Sequence, residues 1–414
     1  MKTIKIGLLG LGNIGTGTYK TLEMNRSEIE STLNAKVEIV KILERDTERD
    51  RGITVPKEKF TSDPDEIFQD PEIDIVIELL GGIEPATTFM LSALKNGKHV
   101  VTANKAALAA NYHELINAAK ENNVILRFEA SVGGGIPILG TLTGPLRANK
   151  FEEVMGILNG TTNYILTMMT KEGLDYETAL KDAQEQGFAE ADPTADVEGI
   201  DAANKLTILM ALMFDKYVAP KDIPTTGITE ITKEKIEEAR SNGCKIKLIA
   251  HAWRDENDEI KYEVRPMYIS ATHPLANINK EFNAVFVKGN AVDDVMFYGK
   301  GAGKEATASA VVADMIDCVK HLDTRKYVFW EDGSADYVDN SCDEPTRLFV
   351  LLRGDNYDEL VAEFDSAFPG VSCVKNKFKN EIAFLTDSEK PSITLEKLSS
   401  LKNIKSRKIL NTMI

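Results

Sequence analysis

An acid and a lysine one helical turn apart are the first residues of this chain whose spacing indicates chemistry. Asp201 and Lys205 precede an almost wholly apolar run, residues 206–214. On a helix they share one face. The alternative is a surface ion pair worth about 0.2–0.5 kcal/mol. The apolar run favours a buried helix, where charges need partners or a function. A lysine beside an acid in a cleft can give or take a proton.

A second lysine, Lys105, comes just after the apolar residues 99–102 (HVVT), which we predict to be a strand. In open α/β sheets, ligands bind outside the carboxyl ends of the strands. Lys105 is therefore placed to reach a coenzyme or a substrate. Its position fits equally a solvated lysine that begins a helix.

A glycine-rich loop follows the first predicted strand. Gly10, Gly12 and Gly15 fit the pattern G-x-G-x-x-G, with Asn13 and Ile14 between the last two glycines. Because the loop joins a strand to a helix, the pattern predicts a dinucleotide site. Backbone N–H groups and the helix dipole would face the pyrophosphate. A glycine-rich turn without a ligand is the less favoured interpretation.

Two charged residues end the second predicted strand, where the adenosine ribose would lie. Glu44 would bind the 2′-hydroxyl of NAD, whereas Arg45 would accept the 2′-phosphate of NADP. Both could also be surface charges, so NAD and NADP both stay open here.

The elements that must position these residues alternate between strand and helix in the first 130 residues. Apolar runs predict strands at 3–9, 36–43, 73–79, 99–102 and 124–129, and helices at 16–32, 65–69, 85–96 and 105–122. This alternation predicts a Rossmann-type doubly wound parallel sheet in an NAD(P)-binding domain, residues 1–130. A helix at 304–325 would complete it.

The remaining chain predicts two further units. Residues 131–303 form an α+β pattern, assigned to substrate binding and dimerisation. An acidic stretch at 332–344 marks a boundary. Residues 345–414 follow the order βαββαβ, which is ferredoxin-like.

Composition excludes several classes of protein. The formal net charge of −16 disfavours nucleic acid as a partner. No run of about 20 apolar residues predicts a membrane span, so we expect a cytoplasmic protein. The four cysteines and five histidines are scattered, which predicts neither a disulfide framework nor a zinc site.

Several segments together resemble the homoserine dehydrogenase family. They run in order to about residue 325: ELLGG (78–82), TANK ending at Lys105, EASVGGGIP (129–137), NGTTNYIL (159–166), the segment 183–205 with its DP, DV, Asp201 and Lys205, and GKGAG (299–303). This resemblance implies the interconversion of L-homoserine and L-aspartate 4-semialdehyde with NAD or NADP, in threonine, methionine and isoleucine biosynthesis.

The resemblance also implies roles for individual residues. Lys205 is the acid/base, supported by Asp201, and Lys105 is a second catalytic lysine that also touches the coenzyme. Glu190 holds the substrate ammonium. Asp196 lies near the reacting oxygen.

Further features implied by the resemblance concern ligands and assembly. Gly303 contacts the coenzyme, and Arg45 is the arginine that favours NADP. The set Glu129, Val132, Gly134 and Ile136 resembles a sodium site. The protein would form a homodimer or homotetramer. The tail resembles an ACT domain that binds an amino acid effector, although Asp-x-Pro-Gly is replaced by residues 354–357 (GDNY).

Two other functions compete with this one. A non-catalytic NAD(P)-binding sensor would keep the glycine loop but would not need Lys205, Asp201 and Glu190 together. The second is another small-molecule oxidoreductase of related fold, which a panel of hydroxy acids and aldehydes would reveal. An acyl-transfer dehydrogenase is disfavoured, because no cysteine stands in the expected context.

Overall fold

The computed structural model describes residues 2–322 and 345–413. The N-terminal part is a six-stranded, wholly parallel sheet with the order β3-β2-β1-β4-β5-β6. Its strands are β1 (Lys2–Leu9), β2 (Ala35–Leu43), β3 (Phe60–Thr61), β4 (Ile75–Glu78), β5 (His99–Thr102) and β6 (Leu126–Arg127). The predicted Rossmann-type fold is confirmed, and the order in which strands are added reverses between β1 and β4, the topological switch point.

Helices cover both faces of this sheet, which is why its inner strands are mostly apolar. The helices are α1 (Asn13–Met24), α2 (Arg26–Leu33), α3 (Asp65–Phe68), α4 (Ala86–Lys95), α5 (Lys105–Ala110) and α6 (Tyr112–Glu121). All four residues of β4 and of β5 are buried.

Three predicted elements of this part were wrong in extent. The helix predicted at 105–122 is split at Asn111 into α5 and α6. The helix predicted at 16–32 begins earlier and is broken at Asn25, where the backbone leaves helical geometry between α1 and α2. The strand predicted at 124–129 shrinks to β6, because Glu129–Ser131 turn into a 3-10 helix.

The central part packs helices on an antiparallel sheet. Its elements are α7 (Leu139–Thr143), β7 (Phe151–Ile157), α8 (Gly160–Glu172), α9 (Tyr176–Glu185), α10 (Thr194–Val197), α11 (Ile200–Phe214), α12 (Lys233–Ser241), β8 (Cys244–Arg254), β9 (Ile260–Ser270), β10 (Phe282–Gly289) and β11 (Asp293–Lys300). The sequence patterns did not predict α12 or β11, whose residues are mostly charged or half-exposed.

The next helix, α13 (Lys304–Lys320), returns to the parallel sheet and packs on α1. The last three positions of the helix predicted at 304–325, and the boundary predicted at 332–344, lie outside the described residues. Short 3-10 helices occur at Lys57–Lys59, Glu129–Ser131, Pro145–Ala148, Pro220–Asp222 and Pro274–Asn277.

The tail has the predicted βαββαβ order. It consists of β12 (Leu348–Gly354), α14 (Tyr357–Ala367), β13 (Cys373–Asn376), β14 (Glu381–Leu385), α15 (Pro391–Ser400) and β15 (Ile404–Met413). Strand β15 also pairs with β9, so one nine-stranded sheet, β11-β10-β7-β8-β9-β15-β12-β14-β13, spans the central part and the tail. The division into units at residues 130, 303 and 345 stays a prediction.

None of the described helices is both long and apolar enough to cross a membrane. Cys244 and Cys373 are free thiols.

Candidate active site

The glycine loop lies between β1 and α1, beside the switch point of the parallel sheet. Gly10 has a φ of +92°, which only glycine adopts readily. A Cβ on Gly15 would collide with the Gly10 carbonyl oxygen. A Cβ on Gly12 would meet no atom within 4 Å. The side facing away from the protein at Gly12 is therefore open for a pyrophosphate, and these residues fit a dinucleotide.

Asn13 and Ile14 open helix α1 within this loop. Gly303 precedes α13 with a φ of +120°. The next residue, Lys304, packs on Gly17 of α1, which brings the start of α13 close to the loop.

A partly buried network of hydrogen bonds holds Glu44 at the ribose end of the loop. The Glu44 carboxylate accepts from the backbone N–H groups of Leu11 (3.0 Å), Arg45 (2.8 Å) and Asp46 (3.2 Å). Burial alone would raise its pKa, but these bonds and Arg51 hold it below the ordinary value. Glu44 is therefore a fixed anion.

Arg51 was not singled out from the sequence, because it lies in an ordinary run of mixed charges. Its side chain is 7% exposed and lies 3.3 Å from Glu44. Its Nε donates to the Leu11 carbonyl oxygen at 2.8 Å. Arg45, by contrast, is exposed.

The acid and the lysines meet on the first turn of α11. Lys205 Nζ lies 2.7 Å from one Asp201 oxygen, as the i, i+4 spacing predicted. Lys105 Nζ, which comes from the parallel-sheet part of the chain, lies 3.0 Å from the other Asp201 oxygen. Asp201 and Lys205 are almost entirely buried, whereas 38% of the Lys105 side chain is exposed. The centre thus has a buried lysine and an accessible one on a shared carboxylate.

The turn between β7 and α8 holds this centre from behind. The Leu158 carbonyl oxygen accepts a hydrogen bond from Lys205 Nζ at 2.6 Å. Asn159 Nδ2 donates to Asp201 at 2.9 Å and to Asp196 at 2.6 Å. Asn159 lay in a segment that carried the resemblance but was not predicted as a site residue, because no local spacing links it to Asp201.

Burial and charge set the protonation states of the centre. Burial alone would raise the pKa of the Asp201 carboxyl, but Lys205 and Lys105 outweigh it and hold the pKa well below the ordinary value. Burial lowers the pKa of Lys205 against the pull of Asp201. Burial raises the pKa of Asp196, and the charge of Asp201 adds to the rise. Asp201 stays anionic, while Lys205 is eased towards releasing a proton.

Lys105 is positioned by a rigid loop after β5. Asn104 caps helix α5 by accepting from the Ala107 N–H at 3.1 Å, and it donates to the Gly82 carbonyl oxygen at 2.6 Å. Thr102 donates to the fully buried Glu78 carboxylate at 2.6 Å. Asn104 and Glu78 are thus further supporting residues, each within a segment that carried the resemblance.

Glu190 lies apart from this cluster. It is exposed on the loop between α9 and α10, where its backbone carbonyl oxygen accepts from Gln184. Within the described residues no hydrogen bond or ion pair joins its side chain to Asp201 or the lysines.

The predicted sodium residues occupy one turn after β6. The Glu129 carboxylate accepts from the N–H groups of Leu139 (2.8 Å) and Gly140 (2.6 Å), at the start of α7. Burial raises the pKa of Glu129. Val132, Gly134 and Ile136 follow, with Gly134 packed against the Gly301 backbone. Carboxylate and carbonyl oxygens suit a hard cation. Among the described residues, no group of three or more His, Cys, Asp and Glu side chains could hold a metal ion.

The strand order of the parallel sheet, the open glycine loop and the lysine–carboxylate centre together define a nicotinamide-dependent oxidoreductase. A sequence profile named "Homoserine dehydrogenase, NAD binding domain" matches residues 10–129, and one named "Homoserine dehydrogenase" matches 137–316. The homoserine dehydrogenase of Bacillus subtilis is 45% identical over 322 residues, 78% of this chain and 74% of that protein. The chain belongs to the homoserine dehydrogenase family, and the predicted enzyme class is confirmed.

Solved structures agree with this assignment. A homoserine dehydrogenase from Thiobacillus denitrificans is 36% identical with a TM-score of 0.88, covering 100% of this chain and 99% of that one. A hyperthermophilic archaeal homoserine dehydrogenase in complex with NADPH is 25% identical with a TM-score of 0.66, covering 78% of this chain and all of that one. By sequence, the homoserine dehydrogenase of Synechocystis sp. is 44% identical over 320 residues, 77% of this chain and 73% of that protein.

Proposed function

We propose that the chain interconverts L-homoserine and L-aspartate 4-semialdehyde, with Lys205 as the acid/base. The observation that carries the proposal is how the lysine is held. An ammonium has three N–H donors. Asp201 and the Leu158 carbonyl oxygen take two of them, at 2.7 and 2.6 Å. One N–H is left to give to a substrate oxygen, or to be restored when Lys205 takes the hydroxyl proton of homoserine.

Lys105 has a separate part in this proposal. Its ammonium is half-exposed and shares Asp201 with Lys205. It can reach a substrate oxygen from the side of the parallel sheet and stabilise the negative charge that develops on it. Asp201 keeps the two cations together and orients both.

The charged end of the substrate needs an acidic partner. We assign the substrate ammonium to Glu190, whose side chain is exposed, and we place Asp196 near the reacting oxygen through its link to Asn159. Glu190 would have to approach the cluster when substrate binds.

The coenzyme would lie on the glycine loop, with Gly10, Gly12, Asn13, Ile14, Gly15 and Gly303 around its pyrophosphate. When bound, its nicotinamide supplies or accepts the hydride. Arg45 is exposed and able to meet a 2′-phosphate, which supports use of NADP. Glu44 is anionic and fixed, which supports use of NAD. Both coenzymes therefore stand as proposed.

Four further proposals concern surroundings rather than chemistry. Glu129, Val132, Gly134 and Ile136 would hold a sodium ion, supported by their shared turn and oxygen donors. The chain would work in the cytoplasm as a homodimer or homotetramer. The ACT-like tail would take an amino acid effector. Its changed turn, residues 354–357, has Asn356 capping α14.

A panel of hydroxy acids and aldehydes, each assayed with NAD(H) and NADP(H), tests the proposal. Homoserine and aspartate semialdehyde should be turned over far faster than the others. A protein that binds NADPH but oxidises no member of the panel is a sensor. Faster turnover of a different hydroxy acid would replace homoserine as the substrate.

A further inference from the structure

We propose that Asn159 is a positioning residue, which ties the Asp196 and Asp201 carboxylates together and thereby sets the orientation of Lys205. This inference rests on the proposed function, because Lys205 must be the acid/base for the tie to matter. It concerns a residue to which neither the family profiles nor the sequence patterns assign a role.

The direction of the Asn159 side chain is dictated by the helix that follows it. Its Oδ1 accepts from the Thr162 N–H at 2.8 Å, which caps helix α8, and from the Thr162 hydroxyl at 3.0 Å. With the oxygen committed to the cap, the amide nitrogen must face the carboxylates. That nitrogen has two hydrogens, and each has an acceptor: Asp196 at 2.6 Å and Asp201 at 2.9 Å.

The same turn also holds the lysine. Leu158, the residue before Asn159, accepts from Lys205 through its backbone oxygen. Two adjacent residues of one turn therefore hydrogen-bond to both members of the Asp201–Lys205 pair. The Asn159 amide is a neutral donor between the Asp196 and Asp201 carboxylates. Because hydrogen bonds to a carboxylate favour its charged form, the two carboxylates can lie close together without sharing a proton.

Asn159 caps α8 through its Oδ1 and ties the two carboxylates through its Nδ2, so substitutions can separate these two roles. Serine and aspartate cap helices about as well as asparagine, but neither supplies the amide donor. Asn159→Ser and Asn159→Asp should therefore keep the cap and lose the tie, whereas Asn159→Ala loses both. Asp175→Ala removes the equivalent cap of α9, where Asp175 accepts from Thr178 at 2.8 Å on an exposed turn away from the centre.

The expected result is a loss of turnover without a loss of folding. Displacing a catalytic group by about 1 Å can cost about 10²-fold, so kcat per folded molecule for homoserine oxidation should fall by about that factor in Asn159→Ser and Asn159→Asp. Asn159→Asp should also melt at a lower temperature than Asn159→Ser, because it places a third buried carboxylate beside Asp196 and Asp201. In Asn159→Asp the added negative charge favours the protonated lysine. Its kcat–pH profile should therefore move to higher pH, while Asp175→Ala lowers the melting temperature and leaves the profile in place.

A role in capping alone predicts wild-type kcat and an unmoved pH profile in Asn159→Ser and Asn159→Asp, and that result overturns the proposal. So does a kcat loss that follows only the folded fraction. NMR of ¹³C-lysine-labelled protein measures the pKa of Lys205 directly, without turnover, and should show the same rise in Asn159→Asp relative to wild type. Failure of the proposed function looks different, because wild type itself would then not oxidise homoserine.

Discussion

Replacing Lys205 with alanine is the most direct test of the active centre. The substitution removes the donor that lies 2.7 Å from Asp201 and leaves the Leu158 carbonyl oxygen without its partner. Asp201 is not orphaned, because Lys105 at 3.0 Å and Asn159 at 2.9 Å still contact it. The carboxylate therefore remains ionised, and the coenzyme loop is untouched.

These contacts set the size of the two expected effects. An orphaned buried charge destabilises a protein by about 3–5 kcal/mol, and the surviving Lys105 contact keeps the loss of unfolding free energy below that range. General acid–base catalysis contributes about 10²–10⁴-fold. Turnover should therefore fall by that factor, equivalent to about 2.7–5.4 kcal/mol in the barrier. Lys205→Arg should restore little, because arginine keeps its proton.

The assay measures kcat, the coenzyme dissociation constant and the melting temperature on the same preparations. Lys247→Met is the matched control, since it removes another buried lysine. Lys247 Nζ donates to Asn163 Oδ1 at 2.8 Å and does not belong to the Asp201–Lys205 centre. Near-wild-type kcat in folded Lys205→Ala would refute the assignment and leave Lys105 as the acid/base. Loss of melting temperature with normal turnover would make Lys205 structural.

Three further results are expected. Gly12→Val should abolish NADPH binding in fluorescence titrations at an unchanged melting temperature, because a Cβ there meets no protein atom within 4 Å; normal affinity would remove the loop from the site. Arg45→Ala should lower kcat/KM for NADP but not for NAD, and an unmoved ratio would show that Arg45 does not bind the 2′-phosphate. Burial lowers the pKa of Lys247 from 10.5 to about 7, so between these pH values the folded protein binds one proton fewer than the unfolded chain. The free energy of unfolding should therefore rise with pH across this window, and a urea series in which Lys247→Met keeps the same rise would contradict the reasoning.

Much of the fold followed from local patterns. Continuous apolar runs identified β1, β4 and β5, because strands covered on both faces have no polar side. The patterns failed where burial is partial: α12 is rich in charge, and β11 is half-exposed. They also overextended β6, because the backbone turns at Glu129 to meet α7 and α13.

The sequence by itself determined the glycine loop and the Asp201–Lys205 pair, because both depend on spacing within one element or one turn. Tertiary structure decided the rest of the centre. Lys105 reaches Asp201 only because α5, which begins at Lys105, packs against α11. Asn159 reaches Asp201 from 42 residues away, by way of the turn into α8. Helix geometry makes neighbours four residues apart predictable, whereas contacts between elements depend on how the buried faces pack, and local spacing does not encode that.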